Sequence, residues 1–300
     1  MAHKVFVVFN PVAGQRDQVS VKQYLEDSMA ERQWHYDFYE TTGEGDKKSI
    51  QKKILSGNFD LILACGGDGT VSEVADVVAE SHLPLGIIPI GTANAFATAL
   101  GIPKRTEEAL DLLFGEHRHQ SVDAIQFDDQ IFLLEASLGI FSASFEDVDR
   151  EKKEKLGWLA FVDTVIRNWF SLDPLRVCVD VDGQRFSFRA SEIALFNTSQ
   201  VGIIDEDLDA DIRLNDGVLD LYALRSKSLW DVLRALIFRL LGKPKQAPHI
   251  RYWEVKESVR ISTHTRVSFQ ADGDVQGETP AAFKVAPGVL KVIVPETFED

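Results

Sequence analysis

The sequence predicts two domains of different class. The first is an α/β N-terminal domain with a three-layer, mostly parallel sheet. The second is a β-rich, β-sandwich-like C-terminal domain, and the active site is expected in the cleft between the two. Three observations carry this reading. Apolar runs alternate with helical patterns over the first third of the chain. After about Ser121 the rhythm changes to closely spaced strand patterns. Each glycine-rich segment of the first third follows a strand pattern and opens a helix. Strands alternating with helices imply a parallel sheet covered on both faces. Ligands of such sheets bind beyond the carboxyl ends of the strands.

The elements follow in order. Val5–Phe9 is a continuous apolar run, as in a strand buried on both faces. Gln18–Gln33 has helical spacing, and His35–Glu40 reads as a second strand. Lys47–Leu55 is helical, Asp60–Ala64 is a third strand, Val71–Ala79 a helix and Leu85–Ile90 a fourth strand. Asn94–Leu100 and Thr106–Phe114 complete the helices of this half. In the second half Gln130–Leu134, Leu175–Val181, Gln184–Phe188, Ile193–Phe196, Leu219–Leu224, Ser258–Ser262, Thr265–Ala271 and Val289–Val294 read as strands. Asp182-Gly183 between two of them is a hairpin signal. Helical patterns interrupt at Leu156–Phe170 and Leu229–Leu241.

The 300 residues suit two domains. Lys and Arg number 32 against 47 Asp and Glu, a net charge of −15. That balance excludes the basic footprint of a nucleic-acid binder and leaves membrane contact to local patches. Cys65 and Cys178 form no CxxC pair, so neither a disulfide framework nor a Cys-ligated metal is expected. No signal-peptide pattern opens the sequence, and no apolar run approaches the roughly 20 residues of a membrane span. The expected location is cytoplasmic, with transient peripheral association with the membrane.

Three loops carry chemistry. Cys65-Gly66-Gly67-Asp68-Gly69-Thr70 follows a buried strand and opens a helix. Glycines bring backbone N–H groups close to phosphates, and the helix adds its positive end. A carboxylate at Asp68 would repel phosphate unless Mg²⁺ or donors offset it. Pro89-Ile90-Gly91-Thr92-Ala93-Asn94 repeats the strand, glycine, helix order; alone it is explained by helix capping. Asn10-Pro11-Val12-Ala13-Gly14 follows the first strand, and alone it is simple turn chemistry. Together they would converge on one rim of the sheet.

These motifs, in this order, resemble the diacylglycerol kinase catalytic domain shared by bacterial soluble lipid kinases and sphingosine kinases. The likeness runs almost end to end: Thr41-Thr42-Gly43-Glu44-Gly45-Asp46, Val122-Asp123, Asn215-Asp216-Gly217-Val218-Leu219-Asp220 and Ala271-Asp272-Gly273-Asp274 also match the family's segments. The resemblance implies an NAD kinase/diacylglycerol kinase-like α/β domain over 1–122, completed by a returning segment at about 287–300, with 123–286 as the lipid-substrate domain. It implies ATP and Mg²⁺. Gly66, Gly67, Asp68, Gly69 and Thr70 would hold the phosphates, with Asn10, Thr42, Gly91, Thr92 and Asn94 around them. Asp68 and Asp123 would organise Mg²⁺, water and substrate. Asp274 would accept the proton of the attacking lipid hydroxyl, and Asp272 of the same Asp-Gly-Asp segment would be catalytic with it. Asp216, with carbonyls around Arg213 and Leu219, would hold a second, structural Mg²⁺. A lipid at the membrane surface is the implied partner, no nucleic acid is expected, and a homodimer is compatible.

The sequence departs from the family's pattern at four places: Gln15 precedes Arg16 after the first motif, Ala95 and Thr98 replace an acid and a base, and Asp274 replaces a glutamate. Two other readings stay open, the first through the shared Gly-Gly-Asp-Gly core and the second through Ala95, Thr98 and Asp274. One is a soluble-substrate kinase of the NAD kinase or phosphofructokinase-like group. The other is a non-catalytic nucleotide- or lipid-binding relative. Ser226–Arg251 carries six basic residues against Asp231 alone, with Leu229, Trp230, Leu233, Leu236, Ile237, Leu240 and Leu241 as an apolar stripe. It reads either as an interfacial membrane contact or as a helix packed on the β-domain.

Overall fold

The structure is a computed structural model. It describes residues 4–14, 18–43, 45–79, 81–140, 142–143, 164, 167, 173–199, 212–225, 228 and 249–298. In chain order the described elements begin with β1 (Lys4–Phe9), α1 (Gln18–Glu31), β2 (His35–Glu40), α2 (Asp46–Ser56), β3 (Leu61–Gly66), α3 (Asp68–Ala79), β4 (Leu85–Pro89), α4 (Ala95–Ala99) and α5 (Thr106–Phe114). Strands then predominate: β5 (His117–Phe127), β6 (Gln130–Phe132), β7 (Glu135–Gly139), β8 (Leu175–Val181), β9 (Gln184–Ala190), β10 (Glu192–Phe196), β11 (Leu219–Leu224), β12 (Ile250–Val255), β13 (Ser258–Thr263), β14 (Ser268–Ala271), β15 (Asp274–Glu278) and β16 (Ala281–Pro295). The helical patterns at Leu156–Phe170 and Leu229–Leu241 lie almost wholly outside the described residues, as do Gln15, Arg16 and most of Ser226–Arg251.

The chain divides into two compact units, chiefly Met1–Ala124 with Pro287–Asp300, and Ile125–Ser199 with Asp207–Ala286. In the first unit the sheet order is β2-β1-β3-β4-β16, and every one of these pairings is parallel. β1, β3 and β4 are buried almost throughout because helices cover both faces. The edge strand β2 alternates exposed and half-buried residues. Leu25 and Met29 of α1, Ile50 and Ile54 of α2, Val74 and Val78 of α3, and Leu110 and Leu113 of α5 supply the apolar stripes that cover it.

The second unit is antiparallel. One sheet runs β12-β11-β10-β7-β14-β15, and the other pairs the start of β16 with β13, β8 and β9. Residues from both sheets share one core: Val177, Val179, Val259, Ile261 and Phe283 from the second, and Leu138, Leu195, Leu221 and Phe269 from the first. Inward apolar and outward polar residues alternate along β8, β9 and β13, whereas β7, β10 and β11 are buried almost throughout. β16 serves both units. Its Ala281–Lys284 pair with β13, and Val292 pairs with Leu85 of β4.

Several strands escape the sequence pattern. β5, β7, β12, β15 and the first half of β16 are new, and α3 begins at Asp68 instead of Val71. Pro287 and Gly288 interrupt the apolar pattern inside β16, where the strand changes partner.

Candidate active site

The rim of the first sheet is built by three strand ends at one level. Gly66 pairs with Pro89 and Phe9 with Cys65. One residue on, the Asn10 N–H donates to the Cys65 carbonyl at 2.9 Å and the Ile90 N–H to the Gly66 carbonyl at 3.0 Å. The loops then interlock. Asn10 Nδ2 donates to Thr70 Oγ1 at 2.9 Å, and its Oδ1 accepts from the Val12 N–H at 3.0 Å. Gly67 and Gly91 lie backbone to backbone. A methyl group on Gly91 would overlap Gly67 Cα and stand 2.8 Å from Asn94 Oδ1. Asn94, at φ 51°, closes its own loop: Oδ1 accepts from the Gly91 N–H at 3.0 Å and Nδ2 donates to the Gly91 carbonyl at 2.9 Å.

The early start of α3 matters chemically. Asp68, Gly69 and Thr70 form its first turn, whose N–H groups lack intrahelical acceptors. They carry the positive end of the helix and suit an anion. Asp68 Oδ1 accepts from the Phe96 N–H at 3.1 Å, which ties α3 to α4. Gly69 differs from its neighbours. Nothing lies within 4 Å of where its Cβ would be, so the fold itself does not demand a glycine there. Thr92 is exposed beside this loop.

Thr42 follows β2, and Thr41 is tied to β1 by its N–H to the Phe9 carbonyl at 2.9 Å. The Thr42 hydroxyl turns to Asp46 at 3.0 Å, and the N–H groups of Thr42 and Gly43 both donate to Asp46 at 2.9 Å. Burial would raise the Asp46 carboxyl, but hydrogen bonds from Tyr39, Gly43 and Thr42 outweigh it and hold it below the usual range. Asp123 is 1% exposed on β5, and its Oδ1 accepts from the Gly288 N–H at 2.6 Å. It thus ties β5 to β16.

In the second unit Asp272 and Gly273 form the β14–β15 hairpin turn at φ 49° and 90°. The Asp272 carboxylate accepts three backbone N–H bonds, from Leu133 at 2.8 Å, Leu134 at 2.9 Å and Glu135 at 3.2 Å. Asp182, in the β8–β9 turn, does the same for Lys256, Glu257 and Ser258 at 2.8–2.9 Å. The shared device shows what the Asp272 oxygens hold: the neighbouring segment 133–135. Asp274 stands beside Asp272 with its side chain exposed.

Two residues here were not anticipated from the sequence. Gln270 is fully buried. Its Nε2 donates to Glu135 Oε1 at 2.9 Å and Ser137 Oγ at 2.8 Å, and its Oε1 accepts from the Gly273 N–H at 2.8 Å. Burial pushes the Glu135 carboxyl up to about 7, the Gln270 bond opposing and the nearby Asp272 charge adding. The available signal was a single carboxylate within the apolar run 131–138.

Asp216 lies apart from this turn, since β10 and β7 stand between β11 and β14. It is exposed, and its Oδ1 accepts from the Val218 N–H at 3.0 Å. Arg213 is exposed, and Leu219 is buried as β11 begins. Among the described residues no group of three or more His, Cys, Asp or Glu could hold a metal. One carboxylate with backbone carbonyls is an all-oxygen donor set, which suits a partly hydrated Mg²⁺.

The structure therefore brings together Asn10, Gly66–Thr70, Gly91 and Asn94. A glycine rim on a parallel α/β sheet, with an antiparallel sandwich in the same chain, defines a two-part α/β plus β-sandwich protein. Comparison with known proteins is specific. Residues 4–127 match the diacylglycerol kinase catalytic domain, and residues 136–294 match the YegS C-terminal NAD kinase beta sandwich-like domain. A diacylglycerol kinase of Bacillus subtilis (strain 168) is 32% identical over 301 residues, covering 97% of this chain and 96% of that protein. A diacylglycerol kinase of Staphylococcus aureus (strain MRSA252) is 26% identical, covering 94% and 90%. A crystal structure of a diacylglycerol kinase from Bacillus anthracis str. Sterne superposes with a TM-score of 0.81 at 26% identity, covering 98% of each chain. The chain belongs to the diacylglycerol kinase catalytic-domain family.

Proposed function

We propose that this chain is a kinase that moves the γ-phosphoryl group of ATP to a hydroxyl of a membrane lipid such as diacylglycerol. The single observation that carries the reading is the rim around Gly69. Its neighbours are glycines because backbone or side chain fills the space, whereas Gly69 opens on nothing. A glycine that the fold does not need marks where a phosphate would approach the first-turn amides of α3. The end-to-end match to diacylglycerol kinases supports the acceptor class.

In this reading Gly67–Thr70 bind the β- and γ-phosphates through backbone N–H groups. Asn10 fixes the hydroxyl of Thr70, and Asn94 shapes the second loop. Mg²⁺, when bound, neutralises phosphate charge; Asp68 in the rim is the acid suited to its hydration shell. Asp274 orients the lipid hydroxyl and takes its proton. Asp272 and Gln270 hold the turn that carries it. Phosphoryl transfer asks a protein chiefly for such positioning and charge neutralisation. No helix among the described residues is long and apolar enough to cross a membrane.

Radiolabelled ATP with mixed lipid extracts is the test. Label in the organic phase supports a lipid acceptor. Label on NAD or a sugar phosphate instead would establish a soluble-substrate kinase, and none at all a non-catalytic relative. Asp68→Ala is expected to lose at least a hundredfold in turnover with circular dichroism unchanged, since removing charge stabilisation costs at least that much. Near-normal turnover would remove the assigned site.

A further inference from the structure

One surface of the second unit opposes the charge of the whole chain. The strands β8, β9, β13 and the start of β16 point Val177, Val179, Val259, Ile261 and Phe283 into the core. The residues between them point outward. They are Arg176, Cys178 and Asp180 on β8, Arg185, Ser187 and Arg189 on β9, Ser258, Arg260 and Ser262 on β13, and Ala282 and Lys284 on β16. Four arginines and a lysine face a single acid, a balance of 5 − 1 = +4 on a chain of −15. All five cations are exposed.

The arrangement within the face is also costly by itself. Arg176 lies directly opposite Arg189 in the β8–β9 ladder. Like charges at opposed positions destabilise an antiparallel pair. The four arginines make no ion pair among the described residues. A shallow groove of about 550 Å³ beside them is lined by Arg176, Cys178, Ser187, Arg189, Ser262 and His264. Guanidinium forks with hydroxyls between them form a donor set for phosphate oxygens. Strand spacing of about 4.8 Å and a two-residue repeat of about 6.8 Å make this a flat patch about 14 Å on each side. That exceeds a Debye length of about 10 Å at 0.1 M salt, so distant acids are screened from what the patch touches.

We infer that this outward sheet face docks on an anionic lipid surface, its arginines on phosphate headgroups. Val177 and Phe188 also line the groove, but five exposed cations around it on a chain of −15 complement a continuous sheet of phosphates better than a protein partner, whose interface core excludes charge. The inference adds to the lipid-kinase reading the surface by which the acceptor would be approached, and it rests on that reading for its purpose only.

The test uses the full chain and vesicles of phosphatidylcholine alone or mixed equally with phosphatidylglycerol. The wild type is expected to co-sediment with the mixed vesicles, not with phosphatidylcholine, and to be released by salt. The triple variant Arg176→Gln, Arg185→Gln, Arg189→Gln should bind on the order of a hundredfold more weakly. Arg260→Glu with Lys284→Glu should do the same from different strands, and thermal unfolding checks both folds. Lys48→Gln with Lys52→Gln on α2 should leave vesicle binding unchanged. Phosphorylation of diacylglycerol in detergent micelles should survive the triple change while phosphorylation in vesicles falls. Vesicle binding that follows this pattern with no lipid phosphorylated by any form would uphold the face and remove the kinase reading. Equal vesicle binding by wild type and triple variant would overturn the face. So would a wild-type dimer that the triple variant dissociates, which would assign the patch to a second copy of the chain.

Discussion

The glycine rim of the first unit and the Asp272 turn of the second are held by opposite means. At the rim the chain is shaped by missing side chains: Gly67 and Gly91 touch through their backbones, and Asn10, Asp68, Thr70 and Asn94 add short bonds. At the turn, side chains do the holding. Asp272 takes three N–H groups from a segment 137–139 residues away, and Gln270 bridges Glu135 and Gly273. The first device is intolerant of added volume. The second is intolerant of lost oxygen atoms and sensitive to protons.

That contrast can be broken by experiment, starting with the largest effect. Asp272→Ala leaves three N–H groups without their charged acceptor. It is expected to lower the unfolding free energy by about 3 kcal/mol, measured in urea; a loss below about 1 kcal/mol would show that water or backbone replaces it. Gly91→Ala forces the two loops apart, at about 2 kcal/mol, with nucleotide affinity lost as well. A neutral Gly91→Ala would mean that the rim is looser than its contacts.

Glu135 sharpens the comparison through pH. Its folded-state value is raised to about 7 above an ordinary value of about 4.3. Between those values the unfolded chain releases the proton and the folded chain keeps it. Stability should therefore fall as pH rises from about 4.5 to 7 and level off above. Glu135→Gln should remove that slope and gain on the order of 3 kcal/mol at pH 8 relative to pH 4.5. Identical slopes for the two proteins would locate the proton elsewhere. The smallest structural effect belongs to Gly69→Ala, where open space predicts a stability change within about 0.5 kcal/mol. Isothermal titration should nevertheless show ATP binding weakened at least tenfold, since under the proposed function the methyl group would stand where a phosphate approaches. Unchanged ATP affinity would deprive Gly69 of its role.

The same contrast explains what the sequence reveals. Val5–Phe9, Leu61–Gly66 and Leu85–Pro89 are legible because buried parallel strands are uniformly apolar. Gly66–Thr70 and Gly91–Asn94 are legible because glycine at a strand-to-helix junction has few other uses. β7 is hidden by Glu135 and Gly139, and β15 by starting at Asp274 and carrying Gly277. β5 begins His-Arg-His-Gln because that part is largely exposed. Gln270 and Glu135 reach each other across 135 positions, and no local pattern reports such a bond. Asp272 shows the same limit: an Asp-Gly hairpin announces its turn, while the amides that its carboxylate gathers are set by the fold.

The last strand has a consequence for synthesis on the ribosome. Val292 pairs with Leu85, so the first unit's sheet lacks its fifth parallel member until the second unit has been translated. At about 5–20 residues per second, that delay is on the order of ten to thirty seconds. Throughout it the nascent chain must carry an unfinished edge at β4, beside the strand end that bears Gly91.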